Sequence, residues 1–265
     1  MSLNVRDVLL TLSVSNDGDW TSIYNDIKAK RPITAEESNR CYQNTKANFV
    51  TICDNDYPEC FKRISNPPFL LYYYGKKELF SSKYRLTVVG TRNPSIYQSD
   101  TVYNLIQEVE KLLNNEVVIV SGMAKGIDQV SMEAAKNLNA PVISIIGSGI
   151  DNPYPNENEG IYEYCLKGNG LVVSEYPALG KAKPENFLFR NRLLVGLSET
   201  VFVGGGKNRS GTSSSVRIAI ENNKEIMALP CNITGDDLTN SLIADGARSV
   251  LCAKDIVECL KEKLY

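Results

Sequence analysis

The spacing of apolar positions changes near residue 49. Before it they recur at helical intervals. Val5, Val8, Leu9 and Leu12 fall on one face of a first helix, and Trp20, Ile23, Tyr24 and Ile27 on a second. Asp19 stands where an N-cap would accept a backbone amide. Thr34-Ala35-Glu36-Glu37 has the form of a capping box and opens a third helix. After residue 49 the pattern becomes short β-branched and aromatic runs. Strands are expected at 49–53 and 69–75, separated by Asp54-Asn55-Asp56-Tyr57-Pro58 and Pro67-Pro68. The second run, Phe69 to Gly75, has rings that could stack bases, but its alternate residues are expected to fill a core.

From residue 84 strands and helices alternate. Strands are predicted at 86–89, 117–120, 142–146, 171–174, 200–203 and 225–228, with an edge strand at 249–251. Helices are predicted at 97–113, 127–138, 158–167, 191–197, 213–222, 238–245 and 254–263. That order specifies an α/β fold: a mostly parallel, doubly wound sheet with helices on both faces and right-handed crossovers. The division expected is a small all-helical unit at 1–48 and a sheet domain at 49–265. The helical unit carries no cluster of reactive side chains, so packing or interaction is its expected role.

Composition narrows the chemistry. A net charge of -2 carries no global signal for nucleic acid, so any such contact needs a local basic patch. There are 0 histidines, which excludes a Ser-His-Asp triad and a histidine-containing zinc site. The 7 cysteines include no C-x-x-C pair and are odd in number, so they read as reduced thiols, with no metal expected. Residues 1–12 are too short and polar for a signal peptide, and no long apolar run appears. A soluble, cytoplasmic protein with no membrane association is expected.

The turns after the strands share a character. Gly90-Thr91-Arg92, Ser121-Gly122, Lys125-Gly126, Gly147-Ser148-Gly149, Gly204-Gly205-Gly206 and Ser210-Gly211-Thr212 all follow strands. In a doubly wound sheet they converge on one edge. Glycine amides, hydroxyls and the cations Arg92, Lys125, Lys207 and Arg209 would suit phosphate there. The G-x-G-x-x-G fingerprint is missing after the first of these strands. Asn152 and Pro153 occupy the places the Gly147 turn would need for its third glycine and helix start. No Gly-Lys-Ser or Gly-Lys-Thr occurs. No cofactor is expected.

A second concentration is Phe187-Leu188-Phe189-Arg190-Asn191-Arg192, at the end of a polar loop that holds Lys181 and Lys183. Rings beside cations suit a single strand, since cations follow the backbone while rings stack on bases. The alternative is that one phenylalanine is core and the arginines pair with Glu175 or Glu185. Both readings stay open on the residues alone. Asp128, Asp151 and Glu175 lie at or near strand ends, but no spacing marks an acid-base pair. Asp128 is expected to brace the Gly126 turn.

These motifs, in order, resemble the DNA-processing protein A family (DprA/Smf). Gly90-Thr91-Arg92 followed by Ser95 and Tyr97 resembles its G-[ST]-R-x-x-S-x-Y opening. Ser121-Gly122-x-Ala124-x-Gly126-Ile127-Asp128 and Gly147-x-Gly149-Ile150-Asp151-x-x-Tyr154-Pro155-x-x-Asn158 are similar to two further motifs. Ser174-Glu175-Tyr176-Pro177, Phe187 to Arg192, Ser210-Gly211-Thr212 and Asn240-x-Leu242-Ile243-x-x-Gly246-Ala247 complete the set. The likeness covers about residues 57–256.

The resemblance implies an extended Rossmann-like domain after a helical domain of the sterile-alpha-motif type. It implies a non-enzymatic protein that binds and protects single-stranded DNA, forms a homodimer through the Rossmann-like domain, and helps load RecA recombinase in natural transformation. By motif, Gly90, Thr91 and Arg92 would hold phosphate and Phe187 would stack on a base. Arg190, Asn191 and Arg192 would shape the same groove. Ser121, Gly122, Lys125, Lys183, Lys207, Arg209, Ser210, Gly211 and Thr212 are the further candidates. Where the family commonly has a lysine, three residues before the stacking ring, this chain has Pro184 with Lys183 beside it. Val130-Ser131 fills a region that often holds a histidine, and no winged-helix domain is expected at the C-terminus. A nucleotide phosphoribohydrolase is the enzyme alternative, from Gly204-Gly205-Gly206 with Ser210-Gly211-Thr212. Val216 stands near the place its glutamate would occupy. A nucleotide-sensing module is the third reading.

Overall fold

The chain begins with three capped helices, α1 (Val5–Ser15), α2 (Trp20–Lys28) and α3 (Ala35–Asn44), in a computed structural model that describes residues 3–232 and 237–263. Asp19 accepts from the Ser22 amide at 2.8 Å, and Thr34 from the Glu37 amide at 3.1 Å. Only half of the expected Thr34 box forms. Glu37 instead accepts from Arg31, in the connection before the third helix, at 2.6 Å. The buried face of α1 is Leu9, Leu10, Leu12 and Ser13, while Val5 is exposed. The face is rotated from the expected one because α1 also packs on the sheet, where Tyr72 donates to Ser13 at 3.0 Å.

Nine strands form one sheet among the described residues: β1 (Asn48–Thr51), β2 (Leu70–Gly75), β3 (Tyr84–Val89), β4 (Val117–Ser121), β5 (Val142–Ile145), β6 (Gly170–Ser174), β7 (Thr200–Val203), β8 (Glu225–Ala228) and β9 (Arg248–Ser249). Their order is β1-β2-β6-β5-β4-β3-β7-β8-β9. From β6 to β9 every pairing is parallel. The β1–β2 hairpin joins antiparallel at β6 and extends the sheet.

Strand residues alternate between two cores. Leu86, Val88, Val117 and Ile119 face one core, which is covered by α5 (Ile96–Leu112), α6 (Ile127–Lys136) and α11 (Ala253–Glu262). Val89, Val118, Val120 and Val201 face the other. It is covered by α4 (Glu59–Lys62), α8 (Pro184–Leu197), α9 (Gly211–Glu221) and α10 (Asp237–Ala244). Burying aliphatic strands on both faces is the main stabilising term, at about 25 cal/mol per Å² of apolar surface.

The expected helix at 158–167 is shorter. The helix α7 (Glu159–Tyr164) gives way to a wide turn at Cys165–Asn169, where Gly168 takes a φ of 82°. The larger departure is α8. Sequence periodicity predicts its start at 191, but the helix begins at Pro184, with the proline in its first turn and Glu185 beside it. The segment from Phe187 to Arg192 is therefore helical, and its side chains point in different directions.

The chain leaves β3 outward through β4, β5 and β6, then returns to place β7 on the opposite side of β3. That reversal opens a crevice at the carboxyl ends of β3, β4 and β7, the position at which open α/β sheets bind ligands.

Candidate nucleic-acid interface

A cleft of about 760 Å³ occupies this crevice, walled by the turn after β3, the first half of α8 and the N-terminus of α9. Ten of the expected residues line it: Gly90, Thr91, Arg92, Phe187, Arg190, Asn191, Lys207, Ser210, Gly211 and Thr212. Tyr154, Asn93, Leu188 and Ser215 line it too, and the sequence reading did not select them. Tyr154 carried a signal as the tyrosine of the Gly-Ile-Asp-x-x-Tyr-Pro motif, and Leu188 as part of the Phe187–Arg192 segment.

The β3 turn is held from below. Thr91 O accepts from the Ile127 amide at 3.1 Å, and Thr91 Oγ1 from the Asn93 amide at 3.2 Å. This leaves Arg92 exposed, and among the described residues it makes no ion pair. Lys207 and Arg209 are likewise exposed and unpaired among the described residues. Arg209 lies beside the cleft with a φ of 61°, in the turn before α9. Ser210 caps α9, accepting from the Ser213 amide at 3.3 Å, and its own amide donates to Ser213 Oγ at 2.8 Å. The first turn of this helix is the positive end of its dipole and faces the cleft.

Arg190 forms part of the floor and is 4% exposed. It donates through Nη1 to Ile145 O, while its buried Nε has no partner among the described residues. Burial lowers its pKa to about 10, with Asp128 acting the other way. Asp128 accepts from the amides of Gly122 at 3.1 Å and Ala124 at 3.4 Å, bracing the turn as expected. Burial raises the Asp128 pKa above the ordinary carboxylate value, against the pull of Arg190. A side chain at Gly122 would collide with the Arg190 guanidinium, so the glycine makes room for the cation. Asn191 reaches the carbonyl of Gly211 at 3.5 Å, joining α8 to α9.

Five of the expected contacts have other work. Ser121 is buried and donates to Val88 O at 2.7 Å, tying β4 to β3. The Gly122 amide is taken by Asp128. Lys125 pairs with Glu157 at 2.5 Å. Lys183 pairs with Asp17 of the α1–α2 turn at 3.5 Å. Arg192 faces away from the cleft, bonded to both oxygens of Glu175 and to Asn66 O, with its guanidinium 3.7 Å from the Phe189 ring centre. Here the carboxylate-pairing alternative holds for Arg192, because helix rotation turns it about 200° from Arg190.

The acids near the strand ends are all engaged. Asp128 serves the turn, Asp151 accepts from Tyr74 at 2.6 Å, and Glu175 holds Arg192. Val216, near the place where a phosphoribohydrolase would need its glutamate, is buried at 4% exposure in α9. No cluster of metal-ligating side chains occurs among the described residues, and no described helix is long and apolar enough to cross a membrane.

Residues 48–261 match the sequence profile of the family described as DNA recombination-mediator protein A. The DNA processing protein DprA of Bacillus subtilis is 34% identical over 226 residues, a match spanning 84% of this chain and 74% of that protein. Protein Smf of Synechocystis is 31% identical over 224 residues, spanning 83% of this chain and 55% of that protein. The crystal structure of DNA processing protein A from Streptococcus pneumoniae superposes with a TM-score of 0.78 at 28% identity, covering 97% of this chain and 98% of that one. The Helicobacter pylori DNA processing protein A, studied for its single-stranded DNA binding mode, superposes with a TM-score of 0.73 at 29% identity, covering 83% of this chain and 99% of that one. By sequence and by fold, the chain belongs to the DNA recombination-mediator protein A family.

Proposed function

We propose that the cleft above β3 and β7 binds single-stranded DNA and that the protein acts in DNA processing during uptake or recombination. The observation that carries this reading is a ring and cations, unpaired among the described residues, gathered around one cleft. Arg92 and Lys207 share the cleft with Phe187, and Arg209 stands beside it. Cations without protein partners are free to replace the counterions of a phosphate backbone, and the ring gives a base a surface without reading its identity. The α9 N-terminus adds amides for a further phosphate. Support also comes from the Helicobacter pylori relative, which binds single-stranded DNA.

In this reading Gly90, Thr91, Arg92, Lys207, Arg209, Ser210, Gly211 and Thr212 hold the backbone. Phe187 stacks, and Arg190 and Asn191 shape the floor. None of them is assigned a catalytic role. The finer parts of the reading are protection of incoming DNA, loading of RecA, a homodimer formed through the sheet domain, a sterile-alpha-motif-like unit at 1–48, and a cytoplasmic site of action.

The deciding experiment is a salt titration of binding to fluorescent single-stranded and double-stranded oligonucleotides. Binding to the single strand at low salt that weakens steeply as salt rises is expected. No binding to a single strand long enough to fill the cleft would reject the reading. RecA loading is tested separately, by strand exchange on DNA coated with a single-strand-binding protein, with and without this chain.

A further inference from the structure

We infer that Tyr154 is a second base-contacting ring, and that Tyr154 and Phe187 form a corner receiving two bases that are no longer stacked on each other. This deepens the single-stranded reading and rests on it. The two rings come from different elements, the loop after β5 and the first half of α8. Their centres are 5.8 Å apart and their planes are inclined by 58°. Both line the cleft. Phe187 is fixed from behind: a Cβ on Gly147 would lie 2.9 Å from its ring, so the ring rests against bare backbone.

Tyr154 does not look like a core residue. It is 51% exposed, and its hydroxyl has no hydrogen-bond partner among the described residues. Most large aromatics of this chain that carry a hydroxyl and sit in the core are satisfied, as Tyr72, Tyr162 and Tyr164 are. A half-exposed ring against a second ring, with a free donor at its tip, fits a ligand that is aromatic on one face and polar at its edge.

The angle sets the kind of ligand. Two parallel rings about 7 Å apart would sandwich one base, but rings tilted by 58° at 5.8 Å leave no such slot. Each ring instead offers its own outer face, and a strand that used both would turn sharply between adjacent bases. A flexible single strand makes that turn readily, whereas a duplex would first lose a stacking step and its pairing. The corner thereby selects single strands by shape, without reading sequence.

The test uses the full chain and thymine oligonucleotides carrying one 5-iodouracil at successive positions. Near-ultraviolet irradiation followed by peptide mapping locates the contacting ring without any substitution. Adducts on Tyr154 as well as Phe187 are expected, from iodouracils at adjacent positions. In parallel, Tyr154→Ala should weaken single-strand affinity roughly tenfold, and Tyr154→Phe by about twofold or less, since the ring carries most of the contact. Wild-type protein that binds and cross-links elsewhere but never at Tyr154, or Tyr154→Ala binding within about twofold of wild type, overturns the inference and leaves the cleft reading intact. Wild-type protein that does not bind the oligonucleotides at all overturns both.

Discussion

Arg192 and Glu175 meet through two hydrogen bonds of 2.6 and 2.7 Å, with side-chain exposures of only 7% and 5%. The pair joins α8 to the end of β6, and Arg192 also holds Asn66 before β2. Removing one member of a buried pair leaves the other charge unsolvated, which typically costs about 3–5 kcal/mol. Arg192→Ala should therefore lower stability by about 3 kcal/mol or more in urea unfolding. Its single-strand affinity, measured where the variant remains folded, should change less than that of Arg92→Ala. A stable Arg192→Ala protein with strongly reduced DNA binding would return Arg192 to the cleft.

Arg92 should behave in the opposite way. It is exposed and unpaired among the described residues, so Arg92→Ala should leave the unfolding midpoint unchanged. Losing one charged contact should weaken single-strand binding roughly tenfold at low salt. The loss should be equal for all sequences, and the slope of log affinity against log salt should fall by about 0.7. Titrations on two oligonucleotides of different sequence check this; a sequence-selective loss would contradict a phosphate role.

Lys183 is held by Asp17 at 3.5 Å, and both side chains are about half exposed. Such a pair is weak, on the order of 0.2–1 kcal/mol, so DNA can compete for the lysine. Asp17→Asn should tighten single-strand binding by roughly two- to threefold at low salt. The gain should vanish in a Lys183→Ala background. A gain that persists there would show that Asp17 acts as a general repulsive charge and not through Lys183.

Glu110 gives the protein a pH signature unrelated to DNA. Its side chain is fully buried on α5, both carboxylate oxygens lack a side-chain or close backbone donor among the described residues, and burial pushes its pKa to about 8. The nearby Val117 amide pulls weakly the other way. In the unfolded chain the group titrates near its ordinary value of 4.5. Between those values the folded chain holds a proton that the unfolded chain releases. Its contribution to stability therefore falls as pH rises from about 4.5 to about 8, and is constant above that. Glu110→Gln removes this ionisation and should be more stable than wild type at pH 8 by about 2–4 kcal/mol. Urea midpoints of both proteins from pH 5 to 8.5 check it. Parallel pH profiles would refute it.

Much of the site is legible in the sequence. The glycine turns at the ends of β3, β4 and β7 are visible as apolar runs that stop at Gly90, Gly122 and Gly204, and parallel alternation alone sends them to one edge. The antiparallel docking of β1 and β2 was not legible, because pairing direction depends on a partner about a hundred residues away in the chain. The start of α8 is hidden in the sequence because its polar first turn masks the helical period, with only Pro184 to mark it. The motif marks Tyr154 but not its exposure, because a tyrosine in a turn has the same local sequence whether it packs or projects.

The sequence by itself determined the local elements, their alternation, and the donor-rich turns at strand ends, because these follow from side-chain period and backbone preference within a few residues. Only the tertiary structure decided which cations are available. Lys125 is answered by Glu157, Lys183 by Asp17 and Arg192 by Glu175, while Arg92, Lys207 and Arg209 meet no carboxylate among the described residues. Whether a charge is neutralised depends on the solvent and partners around its head group, and those come from segments the local sequence does not contain.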